Sequence, residues 1–101
     1  MDQDGVASIA IDSQGRLCIV PVSATFPYIY REAMEVGWDA NGKFLYSPVP
    51  RQWSYGRWFQ QIIASTKEQG CELVLSGTTT WENIPDAVRQ EIMASIGETN
   101  V

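Results

Sequence analysis

The stretch PVPRQWSYGRWFQQII, residues 48–63, decides the fold because it contains the start of the clearest helix in the chain. Ser54 is a preferred N-cap residue. The side chains that follow at the spacing of a single helix face are Tyr55, Trp58, Phe59, Ile62, Ile63 and Thr66. They fall within an arc of about 140° on a helical wheel, which is typical of a buried stripe. We therefore predict an amphipathic helix over about residues 55–69, with Gly70 as its left-handed stop.

The residues just before this helix are candidates for recognition. Trp53 and Trp58 stand at the two positions that form a hydrophobic staple across a helix start, so both have a structural role. Tyrosine, tryptophan and arginine nevertheless dominate interface hot spots and line many pockets. The residues that helical packing leaves available for binding are Arg51, Trp53, the edge of Tyr55, and Trp81.

Two β-branched runs near the N-terminus predict a hairpin. Strands over Val6–Ile11 and Arg16–Val22 flank the turn at residues 12–15, in which Gly15 supplies a positive φ. The apolar run at residues 17–20 has no polar break, which indicates a central strand covered on both faces. Only the ends, about residues 1–4 and 98–101, are expected to fray.

A second hairpin is predicted over residues 34–38 and 43–47, around an Asn-Gly turn at residues 39–42 that favours left-handed geometry. The stretch before it, residues 25–33, is ambiguous. Phe26, Tyr28 and Tyr30 alternate as in a strand, whereas residues 31–35 have helical composition and Pro27 could open a helix. We favour a strand from about Tyr28.

Glu32 is the candidate binding residue that depends on this choice. In a strand it would share a face with Tyr30 and Met34, and a carboxylate on an apolar face must be paired, protonated or near an opening. Arg51 or Arg57 could pair with it there. Alternatively, a bulge or helical turn around Arg31 places Glu32 in water.

After the first helix, the sequence predicts a strand over residues 71–75, and a capping box at Thr79–Glu82 indicates a helical turn. A second helix follows from Pro85 to Ile96. The predicted order is β-β-β-β-α-β-α. This is a single α+β domain over residues 1–101, with an antiparallel meander extended to about five strands and both helices packed on one face. The other face, if uncovered, would expose aromatic and aliphatic side chains of the second hairpin.

Composition and charge exclude several classes of partner. The 101 residues are 45% hydrophobic and only 19% charged, so the chain has enough apolar surface for a core. Its net charge of −5 disfavours nucleic acid and anionic membranes, and favours a basic protein or a cationic ligand. No signal peptide or membrane-spanning run is evident, and the two cysteines lack a CxxC spacing. We expect a cytoplasmic location.

The sequence lacks the usual residues of catalysis. It has no histidine, which removes Ser-His-Asp and Cys-His mechanisms and the commonest zinc ligand. No phosphate-binding glycine loop or hydrolase motif occurs. Cys18 and Cys71 lie in apolar strands, where burial makes a thiol inert. We expect no cofactor, no metal and no enzymatic activity. An enzymatic role through Glu32 or a cysteine is the least favoured hypothesis.

The segment YIYREAMEVGWDANGKFLYSPVPRQWSYGRWFQQI, residues 28–62, resembles the small proteins of mobile integron gene cassettes, specifically the Cass5-like group. The resemblance implies a bacterial, cytosolic and often homo-oligomeric protein, and several such proteins have ligand-sized pockets. It transfers no functional residue to this chain.

Two functional hypotheses remain. The first is a non-catalytic interaction module that forms a homo-oligomer or binds a basic protein, motivated by the acidity and the aromatic surplus. The second is a small-molecule binder with an aromatic pocket between the second hairpin and residues 48–55, lined by Glu32 and Arg51. Finding Glu32 in solvent and that region packed solid would exclude the second hypothesis.

Overall fold

The sheet of the computed structural model, which describes residues 2–97, is built around its first strand. Strand β1, Asp2–Ile11, pairs antiparallel with β2, Leu17–Pro21, which confirms the first predicted hairpin. Gly15 adopts φ +86° in the turn, as predicted. Residues 2–4 are not frayed, because they pair with a strand from the second half of the chain. Residues 1 and 98–101 lie outside the described part.

The second hairpin is present but takes a different place in the sheet. Strands β3, Gly37–Asp39, and β4, Phe44–Tyr46, pair antiparallel. It is β4 rather than β3 that pairs with β2, so the first four strands do not form the predicted meander. The long connection over residues 22–36 carries the chain past the position of β4 to the outer edge, and β4 then returns inward.

The turn of this hairpin uses an unexpected residue for its left-handed conformation. We predicted that role for the Asn-Gly pair, but Lys43 has the positive φ, 58°. The Asp39 carboxylate accepts hydrogen bonds from the backbone N–H of Asn41 and Gly42, at 2.9 and 2.8 Å. This Asx-type arrangement fixes the first part of the turn and moves the left-handed residue to its end.

The predicted first helix is confirmed nearly to the residue. Helix α1 spans Tyr55–Glu68, and the Ser54 hydroxyl accepts a hydrogen bond from the Arg57 N–H at 3.2 Å. Gly70 ends it with φ +91°. The Trp53 and Trp58 ring centroids are 4.7 Å apart, as expected for a staple. Strand β5, Cys71–Val74, then lies parallel to the start of β1.

Residues 79–82 form a strand rather than the predicted helical turn. Strand β6, Thr80–Glu82, pairs parallel with residues 8–10 of β1, beyond the residues that pair with β5. Thr79 does not cap a helix: its hydroxyl donates to the Val6 carbonyl at 2.7 Å and accepts from the Ser76 N–H. No local sequence pattern indicates this pairing with β1. The pairing nevertheless determines the structure of residues 79–82, in place of the helical turn that the capping box predicted.

Both helices belong to one side of the sheet. Helix α2, Asp86–Gly97, packs against α1, which contacts β5 and β2. The core of the described residues joins one sheet face to these helices. Its fully buried members include Ile9, Ile19, Leu45, Ile62 and Ile92. Within residues 2–97 the fold is α+β, a mixed six-stranded sheet with two helices.

The opposite sheet face is partly covered by side chains of the chain itself. It carries Cys18, Phe44 and Tyr46, which lie outside the core cluster. The Arg16 guanidinium covers the Tyr46 ring at 4.5 Å from its centroid, and Phe44 meets the same ring edge-on. The chain's own side chains therefore half-bury this face, and the most exposed apolar groups lie elsewhere.

The segment we favoured as a strand from Tyr28 is instead a 3-10 helix at Ile29–Arg31 within an irregular connection. Its core contacts come from Phe26, Ile29 and Val36, which are buried at spacings of three and seven residues. Turn hydrogen bonds such as Ala33 N–H to the Ile29 carbonyl, 3.2 Å, hold this arrangement. The strand pattern, in which every second side chain is buried, therefore does not hold for this segment.

None of the helices within residues 2–97 is long and apolar enough to cross a membrane.

Candidate functional site

The irregular connection presents a group of exposed side chains, which we call the turn patch: the aromatic or apolar Tyr28, Tyr30 and Met34, and the charged Arg31. The two tyrosines are 53% and 54% exposed, and Met34 is 94% exposed. The tyrosine rings meet edge-on at 6.4 Å, and the Arg31 guanidinium lies over the Tyr28 ring at 4.8 Å. Ile29, between the two tyrosines in sequence, is buried in the core at 1% exposure, whereas its neighbours on both sides are in solvent.

Glu32 lies in solvent, as the alternative of a helical turn predicted. Its carboxylate is exposed and accepts a hydrogen bond from the Gln69 side-chain amide at 2.7 Å. Gln69 lines a cleft of about 470 Å³ at the start of β1 and β5. The hypothesis of a buried carboxylate beside Tyr30 and Met34 is therefore wrong, because the strand it required does not form.

A separate cleft lies beside the lead-in to α1, and we call it the 48–53 cleft. Its volume is about 340 Å³. The apolar wall consists of Pro48, Val49, Trp53 and Trp58, and the polar residues are Glu35, Arg51 and Gln52. The lead-in to α1 is thus not packed solid, but no residue of β3 or β4 lines the cleft. Of the predicted residues, it contains Arg51 and Trp53, while the acidic residue in the cleft is Glu35 rather than Glu32.

The other two predicted binding residues hold the fold together. The Tyr55 hydroxyl donates a hydrogen bond to the Gly15 carbonyl at 2.8 Å, which ties the first hairpin turn to α1. Trp81 pairs with Ile9 in the sheet, and the Arg89 guanidinium of α2 covers its ring at 4.9 Å. Neither residue lines the 48–53 cleft.

Both cysteines are free thiols. Cys18 is 7% exposed, and burial, with the Asp12 carboxylate nearby, raises the pKa of its thiol to about 11. Burial also raises the pKa of Cys71. A thiol that stays protonated at neutral pH is a poor nucleophile. No cluster of three or more metal-binding side chains occurs within residues 2–97.

A third cavity is a groove of about 490 Å³ along the outer edge of β5. It lies between α1 and α2, with Ile63 and Ala64 on one side and Ile96 on the other. Residues 72–75 line it, and the first three of them belong to β5, so the groove follows the strand edge.

Sequence reasoning missed the turn patch and Glu35. The available signal was the spacing of Phe26, Ile29, Ala33 and Val36, which recurs every three or four residues as one face of a helix does. Read in that way, Tyr28, Tyr30 and Met34 fall outside the buried stripe. The alternation of the aromatic residues hid this pattern.

Comparison with known proteins bears on identity. The family model described as Integron Cassette Protein Hfx_Cass5 matches residues 4–79. A solved structure, an integron cassette protein Hfx_Cass5 from the mobile metagenome of the North West Arm sewage outfall, is 49% identical to this chain. The similarity covers 96% of this chain and 98% of that one, with a TM-score of 0.48. A search of the curated proteins found no match. The chain belongs to the Hfx_Cass5 family of integron cassette proteins.

Proposed function

We propose that the protein is a non-catalytic interaction module that associates with a second copy of itself. The observation that carries this proposal is the turn patch, where two half-exposed tyrosines meet edge-on, Arg31 lies over one of them, and Met34, three residues further along the chain, is 94% exposed. Tyrosine, methionine and arginine are enriched at interfaces, and tyrosine and arginine at hot spots. Groups so exposed contribute little to the core, so their burial in an interface is the role that fits their chemistry.

Charge favours a second copy as the occupant. Arg31 stands next to Glu32 and close to Glu35, so the surroundings of the turn patch contain both signs of charge. A twofold interface brings the same surface of two subunits together. Arg31 of one subunit can then face a carboxylate of the other. The net charge of −5 would attract a basic protein to the molecule as a whole. At this patch, however, the positive charge of Arg31 repels a basic surface.

The non-catalytic part of the proposal rests on the chemistry of the side chains. The chain has no histidine, and Cys18 is buried with a raised pKa. Glu32, the carboxylate that sequence reasoning considered for catalysis, is exposed and bound to Gln69. We also propose a bacterial cytoplasmic location, since two unpaired cysteines suit a reducing compartment.

The matched pair Met34→Lys and Met93→Lys tests the patch. Both methionines are exposed, but Met93 is on α2 and lies outside the turn patch. Light scattering after size exclusion should show a dimer for the wild type and for Met93→Lys, and a monomer for Met34→Lys, because the contact would then have to bury a lysine ammonium group.

Ala64→Lys distinguishes the groove at β5 from the turn patch. If this variant is monomeric while Met34→Lys remains a dimer, self-association stands and the turn patch is the wrong surface. A wild type that is monomeric throughout refutes self-association, and a dimer that survives all three substitutions refutes the assignment to the patch.

A second candidate function is the binding of a small molecule in the 48–53 cleft. The specific observation in its favour is that a cleft beside two tryptophans contains the charged side chains of Arg51 and Glu35. Its volume of about 340 Å³ lies at the lower end of the range for ligand pockets. Saturable quenching or enhancement of tryptophan emission by a small ligand would support it, because Trp53 and Trp58 form the wall.

A further inference from the structure

Arg51 differs from every other arginine of the chain. Arg16, Arg31, Arg57 and Arg89 each lie over an aromatic ring at 4.5 to 4.9 Å, and Arg16 also forms an ion pair with Asp12. Arg51 has no hydrogen bond, ion pair or ring contact within residues 2–97, although Trp53 is two residues away. Its guanidinium is available to a ligand.

Glu35 provides the opposite charge in the same cleft. It too has no ion pair or hydrogen bond within residues 2–97. The two residues reach the cleft from different parts of the chain, Glu35 from the end of the irregular connection and Arg51 from the lead-in to α1. A ligand that carried only a negative charge would be attracted by Arg51 but repelled by Glu35 and by the net charge of −5.

We propose that the 48–53 cleft binds a free α-amino acid with an apolar side chain, or a small zwitterion of the same kind. This inference rests on the second candidate function, small-molecule binding. The carboxylate of the ligand pairs with the planar guanidinium of Arg51, and its ammonium group pairs with Glu35. The apolar side chain lies toward Val49 and Trp53. The volume of about 340 Å³ suits one amino acid and not a nucleotide or a longer peptide.

Four probes of similar shape separate the contributions of the two charges. L-Leucine carries both charged groups, 4-methylpentanoate only the carboxylate, 3-methylbutylamine only the ammonium group, and 3-methylbutanol neither. Each is titrated into the wild-type protein, with tryptophan emission and calorimetry as readouts. We expect leucine to bind at least about fivefold more tightly than any of the other three, since a hydrogen bond to a charged group contributes more than a neutral one.

Two substitutions assign the charges to residues. Arg51→Ala should weaken the binding of leucine and of 4-methylpentanoate by at least about fivefold, and should leave the affinity for 3-methylbutylamine unchanged. Glu35→Gln should weaken the binding of leucine and of 3-methylbutylamine, and should leave the affinity for 4-methylpentanoate unchanged. Lys67→Ala and Glu68→Gln remove the same charges from exposed positions on α1 and should change none of the affinities.

The outcomes distinguish the ligand class from the function on which it rests. If 3-methylbutanol binds as well as leucine, or if both cleft substitutions leave leucine binding intact, the zwitterion proposal is overturned while small-molecule binding stands. If none of the four probes changes the emission or releases heat up to about 10 mM, the zwitterion proposal is overturned; small-molecule binding itself fails when a wider set of small molecules also leaves the emission unchanged.

Discussion

Cys18 shows how a single side chain responds to its place in the sheet. It lies in a central strand, 7% exposed, with its sulfur 3.8 Å from an Asp12 carboxylate oxygen. Burial and this neighbour both disfavour the thiolate, so the thiol pKa rises from 9.0 to about 11. The cysteine is therefore a packing residue of the half-buried sheet face and not a nucleophile.

This shift predicts a pH dependence of stability. Below pH 9 the thiol is neutral in both states and contributes no pH dependence. Between pH 9 and pH 11 the unfolded chain loses this proton and the folded chain keeps it, so the free energy of unfolding falls as pH rises. Urea unfolding of the wild type and Cys18→Ala should show their difference changing by about 2 kcal/mol over this range. If the free energies of unfolding of the two proteins changed equally with pH, the raised pKa of the Cys18 thiol would be contradicted.

The residue scale also shows the limit of sequence reasoning about the site. Arg51 was identified because the helix start left it without a packing role, and Trp53 was identified in spite of its staple contact with Trp58; both line the 48–53 cleft. Glu35 was missed because we chose Glu32 on the assumption of a strand, in which alternate side chains share a face. The 3-10 helix at residues 29–31 breaks this alternation. Tyr55 was assigned to recognition because its partner, the Gly15 carbonyl, is forty residues away and leaves no local trace.

At the scale of elements, α1 was predictable because its signals are local. The N-cap, the apolar stripe and the terminal glycine all lie within seventeen residues, and each agrees with the others. Strand β6 was not predictable, since its three residues are held by pairing with β1 some seventy positions earlier. The order of the strands was missed for the same reason: pairing β2 with β4 is a long-range choice.

The start of α1 also depends on α2, which leads to a prediction. The Gly56 N–H donates to a Glu91 carboxylate oxygen at 3.1 Å, where a negative charge complements the helix dipole. A Cβ on Gly56 would stand 2.4 Å from the Glu91 Cγ, so Gly56→Ala must displace that side chain. In the Glu91→Ala background these close contacts are removed, and alanine should stabilise the helix by about 0.5 to 1 kcal/mol.

We therefore expect the effects of the two substitutions on the free energy of unfolding in urea to depend on each other. Gly56→Ala should be neutral or destabilising in the wild type and stabilising in Glu91→Ala. Gln90→Ala, at the exposed neighbouring position on α2, provides the control background and should leave the effect of Gly56→Ala unchanged. Additive free energies of unfolding in the Glu91 pair would show that the contact contributes nothing to α1.

At the scale of the whole molecule, the exposed apolar groups are unevenly distributed. The core joins one sheet face to both helices, and Arg16 and Tyr46 partly cover the other face. The turn patch is left as a concentrated set of aromatic and methionine side chains in solvent. The irregular connection, which replaces the predicted strand, is also the segment that presents this surface. We infer that a second copy of the chain covers the turn patch.

The most direct test of this inference is the mass of the wild-type protein in solution. Sedimentation equilibrium over a wide range of concentration should give a mass that approaches twice the 11.3 kDa of one chain as concentration rises. A single species of 11.3 kDa at every concentration would contradict self-association and leave the turn patch without its proposed role.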